Sequence, residues 1–210
     1  MIIILVGPLA SGKGTYAELL SKRFNIPHIS MGELLRQLAE KTGYGRELKR
    51  KYWGKGLLVP DDITIDVLQQ SLNHKGFILD GFPRNLNQAK LLDGILNVDY
   101  VIYLKVSHDT IIKRVSGRLQ CRRCGAVYNE FTNPPKKDAL CDKDGSKLYV
   151  RPDDTNIKAI RERLSIFKKQ TLPVIRHYKR KGILKEIDAD ADIGTVFDSI
   201  LRSIRQKSRR

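Results

Sequence analysis

Met1 to Val6 is a short, continuous apolar run of strand length, and Gly7 to Thr15 interrupts it before a helical pattern sets in from Tyr16 to Phe24. Strand, loop and helix in that order begin a parallel α/β unit. Within the loop, Gly7 is followed by four residues and then by Gly12-Lys13, the spacing of a phosphate cradle. Backbone N–H groups and a helix N-terminus face the anion, and Lys13 supplies a mobile point charge. Glycine at 7 and 12 lets the backbone turn sharply and approach phosphate closely. The usual cradle carries Ser or Thr directly after the lysine; here that place is Gly14, and the hydroxyl arrives one residue later at Thr15. This argues against direct hydroxyl ligation of magnesium.

The rest of the chain repeats the strand and helix alternation. Gly76 to Asp80 reads as a buried strand ending in a carboxylate, followed by Gly81, Phe82, Pro83 and Arg84. Such a strand belongs at the carboxyl edge of a parallel sheet, where ligands bind; Asp80 can orient magnesium-bound water and Arg84 can clamp phosphate. Pro27 to Ser30, Tyr100 to Leu104 and Ile183 to Ile187 read as further strands, with His28 structural. Met31 begins a helix with Leu34, Leu35 and Leu38 on one face, Pro60-Asp61-Asp62 starts another, and Asn87 to Leu96 is a third. Asp109 to Arg118 is expected to be helical, which puts Arg114 and Arg118 on one face. Ile157 to Tyr178 reads as a long helix carrying Arg161 and Arg163 and broken near Pro173. A closing amphipathic helix runs from Ile193 to Ile204, and its basic end, Arg202 to Arg210, reads as a solvated tail. The charged stretch from Glu40 to Lys55 is either a solvated helical pair or a small mobile flap.

With 210 residues the chain suits one α/β domain with insertions. No apolar run approaches the roughly 20 residues that a membrane span needs, and no signal-peptide pattern precedes the phosphate loop, so no membrane association is expected and the cytoplasm is the expected compartment. The net charge of +16 fits a polyanionic partner, a nucleic-acid surface or merely a host that favours basic proteins, and composition does not choose among these. Three cysteines confined to positions 121 to 141 fit metal ligation better than a disulfide framework. Cys121 and Cys124, then Cys141 and Asp144, have the two-knuckle spacing of a zinc ribbon with aspartate in the fourth place. Asp142 is an alternative fourth ligand, but only Asp144 completes the second two-residue gap. A closed four-ligand site implies structure, not catalysis.

The ordered set GPLASGKGT (7–15), MGELLR (31–36), GLLVPD (56–61), DGFPRNLNQ (80–88), RVSGR (114–118) and RPDD (151–154) resembles the adenylate kinase family over nearly the whole chain, and the cysteine spacing resembles the metal-bearing lid of some bacterial members. The resemblance implies a three-layer αβα P-loop NTPase fold with a parallel five-stranded sheet. It implies a core of residues 1–29, 60–116 and 155–210, a nucleoside-monophosphate flap over 30–59 and a zinc-ribbon-like lid over 117–154. Ala10, Ser11, Gly12, Lys13, Gly14 and Thr15 would hold ATP phosphates, with Arg118, Val127, Tyr128 and Ala191 completing the ATP side and Arg114 beside the adenine. The AMP side would use Met31, Arg36, Leu57, Leu58, Val59, Gly81, Phe82, Pro83, Arg84 and Gln88, and Arg151 and Arg163 would reach between the two phosphate groups. Lys13, Asp80, Arg84, Arg114, Arg118, Arg151 and Arg163 form the implied catalytic set. Magnesium accompanies ATP, and structural zinc sits in the lid. The implied reaction is reversible γ-phosphoryl transfer from ATP to AMP, giving two ADP, by a monomer that requires no nucleic acid.

Four departures from the family pattern stand out. Leu9 and Ala10 occupy places usually held by Pro and Gly, Met31 replaces a threonine near the acceptor base, and Ala189 replaces a glycine beside the ATP adenine. One additional residue between Asp154 and Arg163 makes Arg161 a rival for the role given to Arg163. A UMP/CMP-type kinase would keep the loop and arginines and change only the acceptor pocket. A zinc-ribbon nucleic-acid module would account for the charge but leave Asp80, Arg84 and the phosphate loop without a role.

Overall fold

The computed structural model describes residues 1–72 and 74–205; the remainder of the basic tail, 206–210, lies outside the described residues. In chain order the elements are β1 (Ile2–Val6), α1 (Lys13–Phe24), β2 (His28–Ser30), α2 (Met31–Lys41), α3 (Gly43–Lys51), a 3-10 turn (Trp53–Lys55), α4 (Asp61–Gln69), β3 (Phe77–Asp80), α5 (Leu86–Ile95), β4 (Tyr100–Lys105) and α6 (His108–Ser116). There follow β5 (Arg118–Cys121), β6 (Val127–Asn129), β7 (Leu148–Tyr149), α7 (Pro152–Thr155), α8 (Ile157–Ile166), a π-turn (Phe167–Thr171), α9 (Leu172–Arg180), β8 (Leu184–Asp188) and α10 (Ile193–Arg205).

Five strands form one sheet in the order β2-β3-β1-β4-β8, with every pairing parallel. Alternation along the strands sorts side chains to opposite faces. Ile4, Val6, Phe77, Leu79 and Val101 pack with Leu68, Leu92, Val174 and Tyr178 on one side. Ile3, Leu5, Ile78 and Ile102 pack with Ala17, Leu20, Val196 and Ile200 on the other. The result is the expected three-layer αβα arrangement with a core on each face. Register then fixes the site: Asp80 pairs with Leu5 on one side and with Ser30 on the other, so the ends of β1, β2 and β3 meet at one edge, where the phosphate loop begins. A second, antiparallel sheet of three short strands, β6-β5-β7, lies between α6 and α7.

Two expectations need correction. Arg118 is not helical: α6 ends at Ser116, Gly117 caps it, and Arg118 opens β5 opposite Asn129. Arg114 and Arg118 therefore belong to different elements. The long helix expected over Ile157 to Tyr178 is not broken at Pro173 either. It passes through a π-turn immediately before α9, in which Leu172 N–H donates to the Phe167 carbonyl. Proline lacks an N–H and its ring crowds the carbonyl four residues back, here Lys169; a wider turn across Phe167–Thr171 admits it without ending the helix.

Candidate active site and metal centre

The carboxyl edge of the sheet opens into a cleft of about 550 Å3, within the size range of small-molecule sites. Its floor is the phosphate loop from Leu9 to Tyr16. Gly12 caps α1 with φ 88, a left-handed conformation that glycine adopts without strain, and Ala10 takes φ 56 in the same loop. An alanine there bears a cost of about 1 kcal/mol that glycine would not, so the loop keeps a left-handed turn at a position where this chain lacks the usual residue. Lys13 folds back onto the loop, donating to the Gly7 and Pro8 carbonyls at 3.0 and 2.7 Å and to Ser11 Oγ at 3.3 Å. Burial lowers its ammonium from an ordinary 10.5 to about 8; Asp80 pulls it back upward, while Arg84, Arg163 and Arg118 push it down.

Asp80 is buried in the wall of this cleft. Burial alone would raise its carboxyl, but His28, Lys13 and Arg84 outweigh burial and hold it below the ordinary value. Its Oδ1 has no hydrogen-bond partner among the described residues, and His28 Nε2 stands 3.8 Å from Oδ2. A buried anionic oxygen of this kind is what a hydrated cation would satisfy.

Around these two groups the cleft gathers cations from elements far apart in sequence: Arg36 from α2, Arg84 after β3, Arg114 from α6, Arg118 from β5, Arg151 before α7 and Arg163 from α8. Each is held by a partner. Arg84 Nε donates to the Gly81 carbonyl at 2.8 Å, Arg114 to the Ala189 carbonyl at 2.8 Å, and Arg36 to Glu33 at 2.9 Å. Arg118 forms a two-pronged pair with Asp154, whose carboxylate is fully enclosed, and Arg163 approaches the same carboxylate at 3.8 Å. Arg151 donates to Gln120, whose amide nitrogen in turn donates to the Gly125 carbonyl.

The sequence-derived residues divide into groups. Ala10 to Thr15, Arg118, Val127, Tyr128, Ala191, Arg36, Gly81, Arg84, Arg114, Arg151, Arg163 and Asp80 line the cleft. Leu58 and Pro83 line a smaller adjoining cavity, together with Lys13, Arg84 and Arg163. Met31, Val59, Phe82 and Gln88 are buried, and Leu57 is exposed. The Gln88 amide is already engaged: its Nε2 donates to Asp61 at 2.8 Å, and its Oε1 accepts from Arg84 N–H at 2.7 Å. Arg161 is exposed and lines neither cavity. Sequence reasoning gave no role to Asp154 or Gln120, although both hold cleft arginines. Asp154 lay within a quoted motif, but its pairing with Arg118 spans 36 positions, and no local pattern carries that information.

Beyond the cleft, Cys121, Cys124, Cys141 and Asp144 bring one ligand atom each within 4.8 Å of the others. Cys124 and Cys141 sulfurs are 3.5 Å apart, and Cys121 Sγ lies 3.4 Å from an Asp144 oxygen. Tetrahedral ligation at about 2.3 Å sets ligand atoms roughly 4 Å or less apart; these two pairs meet that spacing, and a set within 4.8 Å has less than about 1 Å to close around an ion. The two knuckles are built alike. Cys121 N–H donates to the Ala126 carbonyl and Gly125 N–H to the Cys121 carbonyl; Cys141 N–H donates to Ser146 and Gly145 N–H to Cys141. Gly125 and Gly145 turn each knuckle with φ 74 and 70. Asp142 takes no part in the cluster, because its Oδ1 accepts from Lys136 N–H. Local loss of water at the sulfur, with Asp144, Cys141 and Cys121 alongside, pushes the Cys124 thiol up, although the residue as a whole is exposed. A divalent cation would relieve this crowding of ligands that bind as anions.

The adenylate kinase family pattern matches residues 5–183. Among curated proteins, an adenylate kinase of Methanocella arvoryzae is 44% identical over 98% of this chain and 99% of its own length. One of Methanosarcina mazei is 45% identical over 95% of this chain and 96% of its own, and one of Staphylococcus epidermidis 41% identical over 96% and 97%.

Proposed function

Since the chain belongs to the adenylate kinase family and transfers a phosphoryl group from ATP to AMP to give two ADP, we propose that the cleft at the carboxyl edge of the sheet is where it does so, with Lys13, Arg84, Arg114, Arg118, Arg151 and Arg163 as its catalytic cations. The observation that carries this reading is their convergence on one cleft whose wall holds the buried Asp80 carboxylate, while the enclosed Asp154 carboxylate pairs Arg118 and approaches Arg163. The acceptor is a phosphate whose second pKa is about 6, so it is already largely dianionic at neutral pH and no protein base is needed. Catalysis then consists of in-line positioning and of positive charge on the transferring group. The phosphate loop holds the donor phosphates, Arg84 and Arg36 face the acceptor side, and Arg163 and Arg151 reach between them. Bound with ATP, magnesium supplies charge neutralisation at the donor phosphates, and Asp80 is the residue to hold its water shell.

We also read residues 30–59 as a closing flap and 117–154 as a lid over a core of 1–29, 60–116 and 155–210. Closure excludes water, the competing acceptor. We read the enzyme as a monomer, as the family resemblance implies. No helix among the described residues is long and apolar enough to cross a membrane. Clustered thiols suit a reducing compartment, and on that ground we read the enzyme as cytoplasmic.

A coupled assay with ATP and each of AMP, CMP, UMP and GMP tests the acceptor. Met31 is buried among apolar side chains and offers no base-edge hydrogen bond comparable to threonine's. AMP is expected to be preferred, by a margin on the order of tenfold or more. Equal or faster turnover of CMP or UMP would transfer the assignment to a pyrimidine enzyme.

In the lid, thiolate ligands and a closed set of four favour structural zinc. The lid cluster contains only Cys121, Ala126, Tyr128 and Cys141 as buried members, with Leu119 and Leu148 against them, which is too little for a core of its own. Metal binding energy would therefore appear as folding energy. Metal analysis is expected to give about one zinc per chain, and Cys121→Ser to lose it and to melt at least several degrees lower, with turnover retained by the folded fraction. A variant that melts like the parent, or protein purified without zinc, would reject the site.

A further inference from the structure

We infer that Thr171 is a positioning residue for the phosphoryl transfer, acting through Arg84; this rests on the reading of Arg84 as a phosphate clamp. Thr171 is buried, and its hydroxyl donates to the Arg84 carbonyl at 2.7 Å across 87 positions of sequence. The Arg84 N–H donates to Gln88 Oε1 at 2.7 Å. Both polar groups of the Arg84 backbone are thus fixed by side chains, one from α5 and one from the π-turn. The Arg84 side chain starts from a peptide that can neither tilt nor slide without breaking one of them.

The π-turn is what brings Thr171 there. At about 100° per residue, a regular helix would set a side chain eight positions after Arg163 roughly 80° around the axis from it. One additional residue absorbed in the wide turn brings the two within about 20° of one another. Arg163, Ile166, Phe167 and Thr171 accordingly line the same small cavity as Lys13 and Arg84. The wide turn admits Pro173, so a proline that reads in the sequence as a helix break lies in a helix aligned with two groups of the site.

Two pairs of variants isolate the hydroxyl: Thr171 against Thr171→Val, and Thr171→Ser against Thr171→Ala, the second pair serving if valine impairs folding. Thr171→Val is expected to lower kcat about tenfold or more, with KM for ATP and AMP changed less than about twofold, since misplacement of a group acting in the transition state costs rate before it costs binding. Thr171→Ser is expected within about twofold of the parent and Thr171→Ala as slow as the valine variant. Because Thr171 acts through Arg84, Arg84→Ala combined with Thr171→Val should be no slower than Arg84→Ala alone. Parental kcat in Thr171→Val and Thr171→Ala, a serine variant as slow as alanine, or a full further loss in the double variant would each overturn the inference. If Arg84→Ala itself turns over at the parental rate, the reading of Arg84 falls and the inference with it; if Arg84→Ala is slow and Thr171→Val is not, the inference alone falls.

Discussion

Replacing Lys13 with alanine is expected to reduce turnover by about 100- to 1000-fold, the usual loss for one preorganised charge at a developing anion, while the protein remains folded. Lys13 contributes no packing to either face of the sheet. Its ammonium lies on the loop carbonyls, within a set of arginines that repel it. Burial of the charge, with that repulsion added and Asp80 opposing both, makes Lys13 a liability for stability before substrate arrives. With its pKa lowered to about 8 from 10.5, the unfolded chain binds more protons than the folded one between those values. Stability attributable to Lys13 is therefore lowest below about pH 8 and rises as pH climbs toward 10.5. The span is at most about 3 kcal/mol, less to the extent that water reaches the amine. The stability difference between the parent and Lys13→Met, followed by denaturant unfolding from pH 7 to 10.5, should move in the parent's favour with rising pH. A difference independent of pH would reject the lowered value. Activity runs the other way: kcat/KM for ATP, which reports the free enzyme, should fall above about pH 8 as the charge is lost, whereas kcat should hold to higher pH because bound phosphates restore the proton.

Several parts of this arrangement were legible before any coordinates. The apolar run ending at Gly7 and the carboxylate ending the strand at Asp80 placed the cleft, because parallel strands of this type must end together where their loops carry the ligand. The four metal-ligand candidates were legible from two equal gaps. What escaped was of another kind. Gly117 ends α6 two residues before the apolar spacing does, since Val115 and Leu119 keep a helical interval although Leu119 already lies in β5. The proline at 173 is a local signal with two physical outcomes, a broken helix or a π-turn, and only packing against the Arg84 segment selects between them. A motif marks Gln88 as an acceptor-side residue, but nothing local shows that its amide also binds Asp61, 27 positions away, and the Arg84 N–H. Partners so distant leave no periodicity in a single sequence.

Arg163→Ala is expected to lower kcat by about 100-fold, an increase of roughly 3 kcal/mol in the barrier, and Arg161→Ala to leave kcat within about twofold. The two residues lie on one helix but face different surroundings. Arg161 is exposed, where substitutions seldom matter, whereas Arg163 lines both cavities and approaches the enclosed Asp154 carboxylate at 3.8 Å. Donor and acceptor each bring several negative charges to one place. At an effective dielectric of about 20, a single pair of unit charges 4 Å apart interacts by about 4 kcal/mol, so a cation between them removes an obstacle comparable to the whole predicted effect. Asp154 serves as the resting counter-ion, and because it also holds Arg118 in a two-pronged pair, losing Arg163 does not leave a buried carboxylate unpaired. The alanine variant should accordingly melt near the parent temperature. Arg163→Lys, which keeps the charge but not the planar fork, should recover only part of the rate. Steady-state kinetics of the three variants beside their melting curves decide the matter. A slow Arg161→Ala together with a normal Arg163→Ala would move the role by two residues.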